Sequence, residues 1–178
     1  MLKIGVITMA LMSFLHAGWF GDLFDDTPKT YHTVPIDLSS AGNETKFILR
    51  SVDSEKGGYF SLYFVIPESS SQHYDLLHDF IFGGQKREGI STPVKLTIYR
   101  IEQDNNSTLF YDKTIESKGW SGTGGYIDGK HATYWMRTID VLNLPVGKYS
   151  IQLKNLKDFP ELKGIEMYFA VHGGRGKY

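Results

Sequence analysis

The stretch Val94–Ile115, VKLTIYRIEQDNNSTLFYDKTI, decides the fold class. Val94, Leu96 and Ile98 alternate with Lys95, Thr97 and Tyr99, which is the two-residue period of a half-buried strand running through Glu102. Asp104, Asn105, Asn106 and Ser107 then supply turn chemistry, and Thr108–Ile115 returns to β-branched and aromatic residues. Two such runs around one compact turn predict an antiparallel hairpin.

The same signature recurs on both sides of this stretch. Thr33–Leu38 is a short strand whose internal Pro35 suits a sheet edge. Thr45–Val52 and Tyr59–Ile66 are aromatic and β-branched, and the turn-rich Asp53–Gly58 between them predicts a further hairpin. Ala132–Leu142, Lys148–Leu153 and Ile165–Val171 complete a set of about eight strands. Ser71–Phe82 breaks the pattern: Tyr74, Leu77 and Ile81 recur at helical spacing beside Leu76 and Phe80, and Gly83-Gly84 ends the helix. Asp158–Gly164 is expected to form one helical turn or a compact loop. The chain is therefore expected to be mainly β, an antiparallel two-layer β-sandwich with one short inserted helix. A closed barrel has the same periodicity.

Lys118–Lys130, KGWSGTGGYIDGK, holds five of the 19 glycines and is expected to be a loop. It carries Trp120 and Tyr126, and aromatics exposed on a loop anchor interfaces or stack on sugar rings. Trp120 folded inward as a core plug is the equal alternative. His131 stands beside the loop, and Tyr134, Trp135 and Tyr111 widen the patch if they face outward. Trp120, Tyr126, His131, Tyr134 and Trp135 are the candidate binding residues.

Composition excludes several chemistries. The chain has 178 residues, enough for one domain, and no cysteine, so disulfides, thiolate nucleophiles and iron–sulfur clusters are absent. Lysine and arginine number 19 against 20 acids, and a net charge of -1 gives no basic surplus for nucleic acid. None of the histidines at 16, 32, 73, 78, 131 and 172 pairs at a metal-ligand spacing, and no cofactor or metal is expected. Gly119-Trp120-Ser121-Gly122-Thr123 lacks the second glycine of a nucleophile elbow, and the same loop lacks the lysine of a phosphate-binding loop. Asp112, Glu116, Asp128 and Asp140 are the acids available for paired-carboxylate hydrolysis, with solvated surface charge as the plainer reading. Neither Asp104-Asn105-Asn106 nor Asp25-Asp26 has the ligand count of a calcium loop.

The N-terminus speaks for export. Met1-Leu2-Lys3, the apolar run Ile4–Leu15 and the small residues Ala17-Gly18 have the three-part form of a secretory signal. Twelve apolar residues fall short of the roughly 20 that span a bilayer. Cleavage after Ala17 predicts a mature chain with 18 basic and 20 acidic residues and no stable membrane anchor. Export without cysteine favours a bacterial periplasm or extracellular space. The expected organisation is a signal at 1–17, an aromatic leader at 18–30, a single sandwich domain at 31–172 and a flexible tail at 173–178.

Pro93–Arg100, Ser117–Trp120, Leu144–Tyr149 and Asp158–Ile165 are short blocks whose order and spacing resemble a bacterial family known only as a domain of unknown function. The resemblance runs over most of Val34–Val171, and Arg137 occupies a position similar to one in that family. It implies an exported or lipoprotein-type β-sandwich with an inserted helix and no assigned catalytic residues. This chain departs from it in lacking a lipobox cysteine and in the glycine-rich insertion Ser121–Lys130. Exported proteins of this kind are often immunity partners of secreted toxins, which makes a protein partner, such as a toxin, the expected one by analogy. A carbohydrate-binding module built on Trp120, Tyr126 and Trp135, and a hydrolase using acids near Asp128 and His131, are the alternatives.

Overall fold

The computed structural model describes residues 31–51, 58–66, 71–84, 87–128 and 130–173. The expected signal, the aromatic leader, most of the Asp53–Gly58 turn, the Pro67–Ser70 break and the tail from residue 174 lie outside the described residues. Two antiparallel sheets form the body. The first has the order β1 (Tyr31–Pro35), β11 (Met167–Gly173), β3 (Gly58–Val65), β9 (Lys130–Leu142), β8 (Gly122–Ile127). The second has the order β2 (Glu44–Ser51), β10 (Gly147–Asn155), β6 (Thr92–Ile101), β7 (Ser107–Ser117). The two-layer sandwich is thus observed, with nine strands in its two sheets. A further two-residue ladder joins β4 (Gly83–Gly84) to β5 (Arg87–Glu88).

Alternation explains the core. Phe60, Leu62 and Phe64 of β3, Trp135 of β9 and Phe169 of β11 point inward from the first sheet, each 1% exposed or less. Phe47 of β2, Leu96 and Ile98 of β6, and Tyr149, Ile151 and Leu153 of β10 meet them from the second. Each such side chain contributes on the order of 1.5–3 kcal/mol through burial. A turn of 3-10 helix (Pro160–Leu162) closes one side by burying Leu162.

The β6–β7 hairpin forms as its sequence predicts, turning through Asn105 in the left-handed region at φ 61°. Helix α1 (Ser71–Phe82) also forms, burying Leu77 and Ile81 while Leu76 stands 72% exposed. Gly83 ends it at φ 89°, a conformation that costs glycine little. β1 is an edge strand, as Pro35 requires.

Three expectations are corrected. β2 and β3 do not pair with each other: β2 lies beside β10 and β3 between β11 and β9, so the chain crosses between layers after Ser51. Phe47 and Leu49 of β2 and Phe60, Leu62 and Phe64 of β3 bury into the same core from facing layers, which needs no shared ladder. Residues 122–127 are not a loop but strand β8, because glycine opposite a large ring is compatible with pairing. Gly173 belongs to β11, paired with Gly58, and not to the tail.

The layers are offset. β1 lies against β2, and β7 lies against β9, where the Tyr111 hydroxyl donates to Asp140. β8 therefore extends beyond the second sheet and has a single strand neighbour among the described residues, β9.

Candidate functional site

The β8–β9 hairpin and its approach at residues 118–121 form the site. The Ser121 amide donates to the Met136 carbonyl at 2.8 Å, and the Ser121 hydroxyl accepts from the Thr138 amide at 2.9 Å. This pins the approach to β9 and leaves Trp120 outside at 57% exposure. Tyr126 is 64% exposed and meets the His131 ring edge to face at 5.4 Å. Trp120 is thus not a core plug. Three of the candidate binding residues, Trp120, Tyr126 and His131, share the exposed hairpin and its approach.

Tyr134 and Trp135 do not join that surface. Trp135 is 1% exposed, lying beneath α1 with Phe82 at 5.8 Å and His78 at 5.3 Å. Tyr134 is 9% exposed and stacks on Tyr63, with 4.2 Å between ring centroids and 17° between planes. It also lies over Gly124, its partner across the ladder, where any Cβ would run into the Tyr134 ring. Tyr111 is half-buried at the sheet junction, and burial followed by its bond to Asp140 pushes its phenol well above the usual range.

At its tip the hairpin bends across the outer face of the first sheet. Ile127 is buried there with Tyr63, Tyr134 and Ala170, and the Asp128 carboxylate accepts from the Thr33 hydroxyl of β1. Asp128 adopts φ 49°, a left-handed conformation that aspartate tolerates.

The acids do not converge. Asp112 accepts from Thr97 at 2.8 Å and faces Lys95 at 3.1 Å; that hydroxyl first, then the ammonium, holds its carboxyl below the usual range. Asp140 serves Tyr111, Glu116 is 3.5 Å from Ser91, and Asp128 serves Thr33 while His131 turns to Tyr126. Among the described residues no group of three or more histidines and acids is arranged to hold a metal. No helix among them is long and apolar enough to cross a membrane.

Arg137 holds the surroundings of the site together. It is fully buried with no carboxylate among its hydrogen-bond partners. Nε donates to the Gly119 carbonyl at 3.0 Å, Nη1 to the Ile90 carbonyl and the Thr92 hydroxyl at 3.1 Å, and Nη2 to the Ile81 carbonyl at the end of α1. Its guanidinium also lies over the Phe82 and Phe64 rings at 5.1 and 5.7 Å. Burial pulls its pKa down to about 10, which leaves it charged at neutral pH. The strand pattern carries no signal for this role, since all but one of the acceptors are main-chain carbonyls and they come from three separate segments.

A basic surface at one end of the second sheet also escaped the sequence. Arg50 and Lys148 are register partners across β2 and β10, and with Arg100, Glu102 and Asp104 they line an open groove. Nothing in linear spacing brings these positions together.

No curated protein matches the chain. Among solved structures it is similar to a protein from Sulfurospirillum deleyianum, with a TM-score of 0.67 and 22% identity over 84% of this chain and 100% of that one. At that identity the likeness is one of fold. The family described as a domain of unknown function, DUF5625, matches residues 33–173, nearly the whole sandwich, and the chain belongs to that family.

Proposed function

We propose that this chain is a non-enzymatic exported binding protein that uses the β8–β9 hairpin to occupy a protein partner, in its most specific form a periplasmic immunity protein facing a secreted toxin. The observation that carries the reading is the exposure of Trp120 and Tyr126, at 57% and 64%, on the hairpin and an approach that Ser121 ties to β9. Large rigid aromatics held outside a core are the residues that dominate interface energies. The three-part form of Met1–Gly18 supports export.

The test combines location and partner. Protein recovered from the periplasm or medium of its source should begin at Gly18, and recovery as an uncleaved cytoplasmic chain would remove export from the reading. The protein encoded next to it should co-purify with the wild type, and Trp120→Ala with Tyr126→Ala should weaken that complex at least about 30-fold. Unchanged affinity in the double variant would reject the hairpin as the contact surface. The same exposed pair also suits a sugar ring, so binding on a glycan array in calcium, with no protein partner, would favour the carbohydrate reading.

A further inference from the structure

Four strands end the two sheets, and they are not equally protected against pairing with another chain. β1 ends in Pro35; β2 carries Glu44, Lys46 and Arg50; β7 carries Asp112, Lys113 and Glu116. Proline and charge are the ordinary means by which sheet edges avoid further pairing. β8, GTGGYI, has neither, its one irregularity being a slip in its pairing with β9 between Gly124 and Tyr126, and it is also the strand that extends beyond the second sheet. Its outward main-chain groups therefore meet no strand among the described residues. A Cβ built on Gly125 would touch nothing, so a neighbouring side chain has room there. Lys118 precedes this uncharged strand and Lys130 follows it, both exposed and with no ion pair to either among the described residues; the one acid between them, Asp128, accepts from Thr33.

We propose that β8 receives an extended segment of the partner protein as a sixth strand of the first sheet, and that this segment is uncharged in its centre and acidic at both ends. Resting on the binding role proposed above, the inference adds the mode of recognition and the chemistry of the partner. Main-chain hydrogen bonds supply the attachment, as in other cases of strand addition. Trp120 and Tyr126 flank the glycines and grip the side chains of the incoming centre. Lys118 and Lys130 pair with the acidic ends.

The probe is a synthetic peptide with two aspartates at each end of Thr-Val-Thr-Val-Thr-Val, compared with a version N-methylated at alternate residues and one ended by lysines. With the full mature protein labelled for NMR, the aspartate peptide should slow hydrogen exchange at the β8 amides, and the N-methylated one should not. The lysine-ended peptide should bind at least about fivefold more weakly at low salt. The preference should reverse in the Lys118→Glu, Lys130→Glu double variant, whose changes are on the surface. If the N-methylated peptide binds as well as its parent, strand addition is wrong while the binding surface stands. If Trp120→Ala with Tyr126→Ala leaves peptide binding unchanged, the surface itself is wrong. Failure of every peptide to protect β8 overturns the proposal. So does protection that rises with protein concentration alone together with a doubled mass, which would assign the edge to a second copy.

Discussion

The Thr33 hydroxyl donates to the Asp128 carboxylate, joining two residues 95 positions apart and tying the tip of the β8–β9 hairpin to the opposite edge of the same sheet. The strand order places β11, β3 and β9 between them, so the hairpin must arch over the outer face to make this bond. Beneath it Tyr63, Ile127, Tyr134 and Ala170 form a second apolar cluster apart from the main core. A binding edge of this kind gains from such a brace, because a preformed edge loses less freedom on meeting its partner.

Asp128→Ala should therefore lower stability by about 0.5–1.5 kcal/mol from the lost hydrogen bond, with a further contribution from alanine at positive φ. Asp128→Asn keeps an acceptor and tolerates the left-handed backbone, so it should cost less. Denaturant midpoints rank the two, and hydrogen exchange should show residues 126–131 opening first in the alanine variant. Equal exchange in both would mean the tip is held by Ile127 packing alone.

Gly124 and Gly125 are adjacent and should respond oppositely. A methyl on Gly124 meets the Tyr134 ring, which is held by its stack on Tyr63, so Gly124→Ala should cost about 1–3 kcal/mol. A methyl on Gly125 meets open space, and Gly125→Ala should stay within about 0.5 kcal/mol of the wild type. Urea midpoints decide this directly, and a neutral Gly124→Ala would show that Tyr134 does not need its place over the glycine.

Arg137→Met tests whether one buried cation fixes the inserted helix. The substitution strips donors from the carbonyls of Ile81, Ile90 and Gly119, and it should cost at least about 3 kcal/mol. Arg137→Lys keeps the charge but cannot reproduce the fork, so it should recover only part of that loss. The amides of α1 should lose protection before those of β3 and β11. A loss below about 1 kcal/mol for the methionine variant would remove Arg137 as the organiser of this region.

These relationships mark where sequence reading stops. The period of Val94, Leu96 and Ile98, the turn at Asp104–Ser107 and the stripe through Leu77 and Ile81 are local signals, and the structure keeps all of them. The partner of β2 is a non-local choice, made by which aromatic face meets which layer, and the turn after Ser51 gave the wrong neighbour. The glycines of 118–130 misled for a physical reason: glycine marks irregular backbone and also makes room for a ring, and only the position of Tyr134 separates the two. Trp135 looked as available as Trp120 because alternation does not say that a helix inserted more than fifty residues earlier will cover one of them.

Alkaline pH should act through the tyrosines. The Tyr168 phenol donates to Glu166, and that bond first, then burial, pushes its pKa from 10.0 up to about 12. Tyr111 is displaced in the same direction by burial and by Asp140. An unfolded tyrosine releases its proton near pH 10. Between about pH 10 and 12 the folded chain therefore holds protons that the unfolded chain has lost. The stabilisation is complete below pH 10 and declines as pH rises through the folded value. Burial of Arg137 works the opposite way over part of this range, since its pKa is lowered, so the informative quantity is the difference between variants. Tyr168→Phe should show a shallower fall in denaturant midpoint from about pH 9 to 11.5 than the wild type. Tyrosinate absorbance should rise later in the folded wild type than in denaturant. Parallel pH curves for the two proteins would show that the Glu166 bond does not hold the phenol neutral.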